Sequence, residues 1–174
     1  MLKLKDELRK IILFEHSRKQ RDKVVDWVGD SRRRFSVLME LFLGDEYRVV
    51  QRAAWAVRTI GEARPQWMTS YIGPMIESIQ NPIHDAVVRN GLLVLVGVKI
   101  PKRYWGELVE IGFDYLSKVT TPTAIKRAAL LVVARIVEQE PELREELVLV
   151  LQDQIPYSTV GFKGIATKYI KRWT

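Results

Sequence analysis

Apolar residues recur along the chain at spacings of three and four, and no segment sustains the alternation of apolar and polar residues that a strand needs. This pattern is typical of amphipathic helices, whose apolar residues share one face. It predicts an all-α chain of ten helices in five pairs. The first, or A, helices are predicted over 2–14, 31–43, 66–80, 102–118 and 141–153. The second, or B, helices are predicted over 17–28, 46–62, 84–98, 122–138 and 157–173.

Proline placement supports these divisions, because proline is tolerated in the first turn of a helix, where its missing N–H has no intrahelical acceptor. Six of the seven prolines lie at or just before predicted helix starts: Pro65, Pro82, Pro101, Pro122, Pro141 and Pro156.

The B helices repeat one another in sequence. Aligning "VVQRAAWAV", "AVVRNGLLV" and "AIKRAALLV" places Arg52, Arg89 and Arg127 in register at separations of 37 and 38 residues, and Lys163 follows 36 residues later. A period of this length in helix pairs is typical of an α-solenoid, in which each pair packs on its neighbours.

The segment "YIGPMIESIQNPIHDAVVRNGLLVL" resembles a HEAT repeat, and "LMELFLGDEYRVVQRAAWAVRTIGE" is a second match. The markers are a proline inside the A helix, a turn with Asn-Pro, an aspartate near the start of the B helix and an arginine followed by small or apolar residues: Pro74, Asn81, Pro82, Asp85 and Arg89 in the first segment, and Asp45, Arg52, Ala53 and Ala54 in the second. The pair around Arg127 has Thr123 in place of the aspartate, and the period is shorter than the roughly 40 to 47 residues usual for HEAT and armadillo units. The resemblance covers about residues 31 to 140 and implies a right-handed α-solenoid of about five HEAT-like helix pairs, with the B helices on the inner, concave layer. The length of the chain fits one compact domain, which is predicted over 1–174.

Asp85 and Arg89 stand one helical turn apart at the start of the third B helix. In HEAT-like solenoids such an aspartate can cap backbone N–H groups and face the arginine of its own or a neighbouring repeat, so the resemblance predicts a pair that joins stacked repeats. The alternative is that the arginine row lines the concave face and binds a partner.

Positive charge concentrates on the predicted B helices. The chain has a net charge of +7; within the predicted bounds the B helices total +9, the A helices total zero, and the connecting residues carry −2. A basic concave surface should attract an anionic partner.

The second B helix has the best-defined candidate site. A helical wheel places Val50, Ala53, Ala54, Val57 and Ile60 on one face, which is predicted to be the core face. Arg48, Arg52, Trp55 and Thr59 fall on the opposite side. An outward tryptophan beside two arginines could anchor an apolar partner residue or stack on a base, or it could pack against a neighbouring B helix.

Three positions after each aligned basic residue stand Trp55, Leu92, Leu130 and Ala166. If the repeats stack in register, an apolar row runs beside a basic row, which suits an acidic peptide with hydrophobic anchors better than a bare phosphate backbone. Packing between repeats would produce the same row. The predicted partner-binding residues are Arg48, Arg52, Trp55, Arg89, Arg127 and Lys163.

Several kinds of chemistry find no support in the sequence. There is no cysteine, and the two histidines, His16 and His84, do not form a paired metal motif. No glycine-rich phosphate loop or nucleophile elbow occurs, so we expect no cofactor and no metal. Asp6 and Glu7 interrupt the N-terminal apolar run, which predicts an amphipathic helix rather than a signal peptide, and therefore a cytoplasmic protein without a membrane partner.

The leading interpretation is a non-catalytic scaffold that binds an acidic protein segment. The alternative is a nucleic-acid-binding HEAT-like protein, possibly related to the alkylation-repair DNA glycosylases, which the resemblance associates with a basic groove and aromatic residues around a carboxylate. On the outward stripe of Trp55, only Glu62 at the helix end supplies a carboxylate.

Overall fold

The computed structural model describes residues 2–174, and this range contains ten α-helices and no strand. The all-α prediction is therefore confirmed. The helices are α1 (Leu2–Phe14), α2 (Arg18–Val28), α3 (Arg32–Phe42), α4 (Tyr47–Ala63), α5 (Ile72–Gln80), α6 (Asp85–Gly97), α7 (Trp105–Ser117), α8 (Thr123–Val137), α9 (Arg144–Gln154) and α10 (Val160–Trp173). In the described range, no helix combines the length and apolar character that crossing a membrane requires.

The chain divides into two compact units, Met1–Lys99 with α1 to α6 and Ile100–Thr174 with α7 to α10. In the first unit, each A helix packs on the B helix that follows it, and α4 also packs on α2 and α6. In the second unit, α7 packs on α8 and α9, and α10 packs on α8 and α9. The predicted helix pairs are confirmed, and the prediction of one domain over 1–174 remains a prediction.

Three A helices begin later than the periodicity predicts, because short 3-10 turns precede them. Pro65–Trp67 and Thr69–Tyr71 lie before α5, Lys102–Tyr104 before α7, and Pro141–Leu143 before α9. A helix running from 66 to 80 would hold Pro74 in its interior, where the ring clashes with the carbonyl four residues earlier. Since α5 begins at Ile72, Pro74 lies in its first turn.

Local capping defines the boundaries of the first helices. Ser17 Oγ accepts a hydrogen bond from the Gln20 N–H, and Ser31 Oγ accepts one from the Arg34 N–H. Both serines satisfy a backbone donor that the first turn of a helix leaves unpaired. Gly29 ends α2 with φ of +51°, a region that favours glycine, and its N–H donates to the Val25 carbonyl.

A buried lysine joins α8 to α9 in the second unit. Lys126 Nζ donates to Gln154 Oε1 at 2.6 Å, and Gln154 Nε2 donates to the Ser117 carbonyl at the end of α7 at 2.9 Å. Lys126 and Gln154 are only 4% and 3% exposed. Burial lowers the pKa of Lys126, because it disfavours the charged ammonium.

The burial of Lys126 predicts that the stability of the protein depends on pH in the alkaline range. With the Lys126 pKa lowered in the folded protein, the unfolded chain still holds the proton at pH values where the folded chain has released it. The free energy of unfolding should therefore rise with pH between the lowered pKa of Lys126 in the folded protein and the ordinary pKa of a lysine in the unfolded chain. Urea denaturation across the alkaline range should show this rise in the wild type relative to Lys126→Met. Lys168→Met, which removes an exposed lysine, should keep it; parallel pH profiles for the wild type and Lys126→Met would contradict the prediction.

Candidate partner-binding surface

The core face of α4 matches the helical-wheel prediction. Val50, Ala53, Ala54, Val57 and Ile60 are all buried, with at most 3% of each residue exposed. Val49 and Ala56 are buried as well, because α4 packs on α1, α2, α3 and α6. The remaining stripe contains Arg48, Arg52, Trp55 and Thr59, and it faces the α1–α2 pair along part of its length.

Arg48 is exposed at the start of α4. Its Nη1 donates to Gln51 Oε1 at 3.3 Å, and its guanidinium carbon lies 5.7 Å from the centroid of the Tyr47 ring. Among residues 2–174 it forms no ion pair with a carboxylate. The charge of Arg48 is therefore available to an anionic group from outside the chain.

Arg52 has a structural contact. Its Nη1 donates to the Leu13 carbonyl at 2.7 Å, across 39 residues of sequence. Leu13 lies in the last turn of α1, where carbonyls have no intrahelical donor. Arg52 thus ties the second helix pair to the first, which is the joining role that the sequence predicts for the aligned position of Arg89.

Trp55 is half-buried and packs against the neighbouring B helix. The guanidinium carbon of Arg21 in α2 lies 4.7 Å from the centroid of its ring, and Arg21 Nη1 donates to Thr59 Oγ1 at 3.2 Å. The indole therefore contacts α2, while part of its surface remains open to solvent. This arrangement combines the two alternatives that the sequence left open, packing and exposure.

A small recess in the first unit opens beside Trp55, and we call it the Trp55 recess. Two of its polar atoms, Gln20 Oε1 and Arg52 Nε, are buried and have no hydrogen-bond partner among residues 2–174. An unpaired buried N–H is costly, so a site that brings an acceptor oxygen to Arg52 Nε would recover that cost. The lining residues are Ile12, Glu15, His16, Ser17, Gln20, Arg21, Val24, Arg52 and Trp55.

The carboxylate that lies near Trp55 is not the one that the helical wheel predicts, Glu62. Glu62 Oε1 accepts a hydrogen bond from Arg58 Nε at 2.7 Å, so its charge is already paired. Glu15, from the segment between α1 and α2, instead lines the Trp55 recess. Sequence reasoning missed Glu15 because it lies on a different helix pair, 40 residues away from Trp55 in the chain.

The predicted Asp85–Arg89 pair is wrong. His84, rather than Asp85, is the N-cap of α6, and its Nδ1 accepts the Ala86 N–H at 2.8 Å. Asp85 and Arg89 are both exposed, and neither forms an ion pair within the described residues. Because the imidazole already caps the helix, the carboxylate of Asp85 is left in solvent, and Arg89 has no carboxylate partner in the described part of the chain.

Tyr47, which is exposed, and His84, which is half-buried, extend the surface beyond the residues predicted to bind a partner. The Tyr47 residue is 48% exposed, and its ring packs edge-on against His84 with centroids 5.2 Å apart. Gln51 Nε2 lies 3.0 Å from His84 Nε2, so the starts of α4 and α6 are connected through side chains. An exposed aromatic beside Arg48 enlarges the candidate surface toward α6.

The apolar row beside the basic row is part of the core. Leu92, Leu130 and Ala166 are each 0% exposed, so the packing alternative applies to all three, and Trp55 differs from them in keeping an open surface. In the second unit, Arg127 is exposed on α8 and Lys163 is half-buried on α10. These two residues belong to a different compact unit from Arg48, Arg52, Trp55 and Arg89.

The structure predicts different effects for two arginines at aligned positions. Arg52→Ala should lower the free energy of unfolding by about 1 to 3 kcal/mol, because the Leu13 carbonyl loses a charged donor. Arg89→Ala should change it by less than about 0.5 kcal/mol, as for other exposed side chains without partners. Chemical denaturation of both variants checks this, and equal losses would show that Arg89 has a structural role after all.

Comparison with known proteins places this architecture in a family. The family model described as HEAT repeat domain matches residues 8–165 of this chain. No curated protein and no solved structure matches the chain. Since the match runs from within α1 to within α10 and covers far more than half of the chain, the chain belongs to the HEAT repeat domain family.

Proposed function

We propose that this protein is a non-catalytic HEAT-repeat scaffold that binds an acidic protein segment on the B-helix side of its first unit. The observation that carries the proposal is the exposure of Arg48 and Arg89 on two helices that pack together. Since neither arginine pairs with a carboxylate of the described residues, no internal ion pair has to break when an anionic segment binds.

Aromatic surface accompanies these charges. Tyr47 lies beside Arg48, and Trp55 lies beside Arg21 and the unpaired Nε of Arg52. Tryptophan, tyrosine and arginine are the residue types most enriched among those that dominate binding energy. In this proposal, an acidic side chain of the partner approaches the arginines, and an apolar side chain contacts the open part of the indole.

Charge in the second unit supports the same partner chemistry independently. Within their observed bounds, α8 and α10 carry net charges of +3 and +4, and Arg127 and Lys163 are among the residues that supply them. The helices α7 and α9 of that unit carry −3 and −2. The separation of charge between the two sets of helices favours an anionic ligand on the α8 and α10 side.

A direct binding measurement tests the proposal. The probe is a peptide of alternating leucine and glutamate, acetylated and amidated, titrated into the full chain by calorimetry at several salt concentrations. We expect saturable binding with a shallow salt dependence, because apolar contacts contribute to it. The double variant with Arg48→Ala and Arg89→Ala should bind the peptide more weakly. Arg103→Ala, which removes an exposed arginine of the second unit, should leave peptide binding unchanged.

The nucleic-acid alternative gives a different result in the same experiment. A DNA duplex that binds more tightly than the peptide, with an affinity that falls steeply as salt rises, would show phosphate recognition and would overturn the protein-segment proposal. Absence of peptide binding at millimolar concentration would overturn it as well.

A further inference from the structure

The second unit has an open apolar recess on the side of its acidic helices, and we call it the Trp105 recess. Its apolar walls are Trp105 and Val109 of α7, Ile136 of α8 and Leu143 just before α9. Trp105 is held in place by a hydrogen bond from its Nε1 to the Ile100 carbonyl at 3.0 Å. The indole is half-buried, so part of its surface faces the recess rather than the core.

The rim of the recess is acidic. Glu140 and Glu142 both line it, and Glu142 is exposed without an ion pair among the described residues. The helices α7 and α9, which pack together, carry four more carboxylates that form no ion pair within residues 2–174. They belong to Glu107, Glu110, Glu145 and Glu146. Carboxylates around an apolar floor favour a ligand that is both cationic and apolar.

A cation of the chain itself already occupies the mouth of this recess. Lys102 Nζ lies 5.0 Å from the centroid of the Trp105 ring and 3.3 Å from Glu140 Oε1. The lysine side chain is nevertheless 79% exposed, so solvent surrounds most of it. Because ion pairs of exposed side chains contribute little to stability, Lys102 can be displaced at low cost by a cation that also fills the apolar walls.

We propose that the Trp105 recess binds a basic peptide segment. A lysine or arginine side chain of that segment lies over the indole of Trp105 and pairs with Glu140 and Glu142, and a neighbouring apolar side chain contacts Val109 and Leu143. This site is distinct from the surface proposed for an acidic partner, and it selects the opposite charge.

Gly106 allows the recess to be blocked without disturbing the fold. It lines the recess in the first turn of α7, and, apart from its chain neighbours and its own helical backbone, an added Cβ would meet no atom of residues 2–174 within 4 Å. A leucine there would extend into the open space that the ligand needs. Gly164 of α10 has the same open surroundings but does not line the recess, so Gly164→Leu is the matched control.

Calorimetric titration with an acetylated and amidated peptide of alternating leucine and arginine tests this proposal on the full chain. The net charge of +7 repels such a peptide in general, so saturable binding would report a local acidic site. We expect Gly106→Leu to weaken binding by about tenfold or more, as for loss of a buried anchor. Glu142→Gln should weaken it as well, Gly164→Leu should leave it unchanged, and Lys102→Ala should strengthen it because the competing internal cation is gone.

Two results would overturn the proposal. One is the absence of binding to the wild type at millimolar peptide, and the other is equal affinity in the wild type and Gly106→Leu. Thermal unfolding monitored by circular dichroism verifies that each variant is folded, and Glu142→Gln supplies a second test in which the shape of the recess is unchanged.

Discussion

Replacing Trp55 by alanine should weaken binding of the acidic leucine–glutamate peptide by about 2 kcal/mol or more, which is roughly 30-fold in the dissociation constant. Trp55 is the aromatic side chain that lies beside Arg21, Arg52 and the Trp55 recess. Truncation removes the apolar contact and also the surface on which the Arg21 guanidinium rests. Calorimetric titration of the variant measures the change.

The structure also changes what Trp55→Ala should do to stability. Because the indole is half-buried and stacked on Arg21, its loss should lower the free energy of unfolding by at least the cation–π contribution, about 0.5 to 1 kcal/mol. A loss of binding in Trp55→Ala must therefore be compared with a control variant that loses a similar amount of stability.

Trp27 provides that control. It is half-buried in α2 of the same unit, and the guanidinium carbon of Arg34 lies 5.2 Å from the centroid of its ring. Trp27→Ala should cost a comparable amount of stability while leaving peptide binding intact. If the two variants bind the peptide equally well, Trp55 is a packing residue and the centre of the proposed surface lies elsewhere.

Gly112→Ala should destabilise the protein by about 1 to 3 kcal/mol, the usual cost of forcing an extra group into a packed core. Gly112 lies in α7 where that helix packs on α8, and an added Cβ would stand 2.1 Å from Val133 Cγ2. Val133 is fully buried and β-branched, so its side chain has little freedom to move aside. The steric cost should exceed the gain of up to about 1 kcal/mol that alanine brings to a helix interior.

Gly106→Ala is the matched control for this effect, because Gly106 lies in the same helix and no described atom outside that helical segment is within 4 Å of the added methyl group. It should leave stability unchanged or increase it. Urea denaturation of both variants separates helix propensity from packing, and a stable Gly112→Ala protein would show that α7 and α8 can move apart without loss.

The sequence by itself determined the local architecture of this protein. Helix positions follow from a periodicity that is complete within each segment, and the core face of α4 follows from the same rule. The delayed starts of α5, α7 and α9 were less predictable, since the pattern of apolar residues continues through a 3-10 turn and only backbone geometry separates the two kinds of helix.

The choice of cap at α6 shows a limit of local reasoning. Aspartate is a preferred N-cap, which favoured Asp85 for that role, but Asp85 is the first residue of α6 and His84 is its cap. A shift of one residue in the start of a helix is enough to exchange the roles of the cap and the first helical residue.

Only the tertiary structure decided which of the aligned basic residues are structural. Arg52 and Arg89 occupy the same place in the repeat, yet Arg52 donates to the Leu13 carbonyl, and Arg89 stays in solvent without an ion pair to any of residues 2–174. The stacking of Arg21 on Trp55 and the approach of Glu15 to the same recess likewise join residues at least 34 positions apart. Such contacts depend on how one helix pair packs on another, and the periodicity of a single helix reports which side is apolar without specifying the neighbour that covers it.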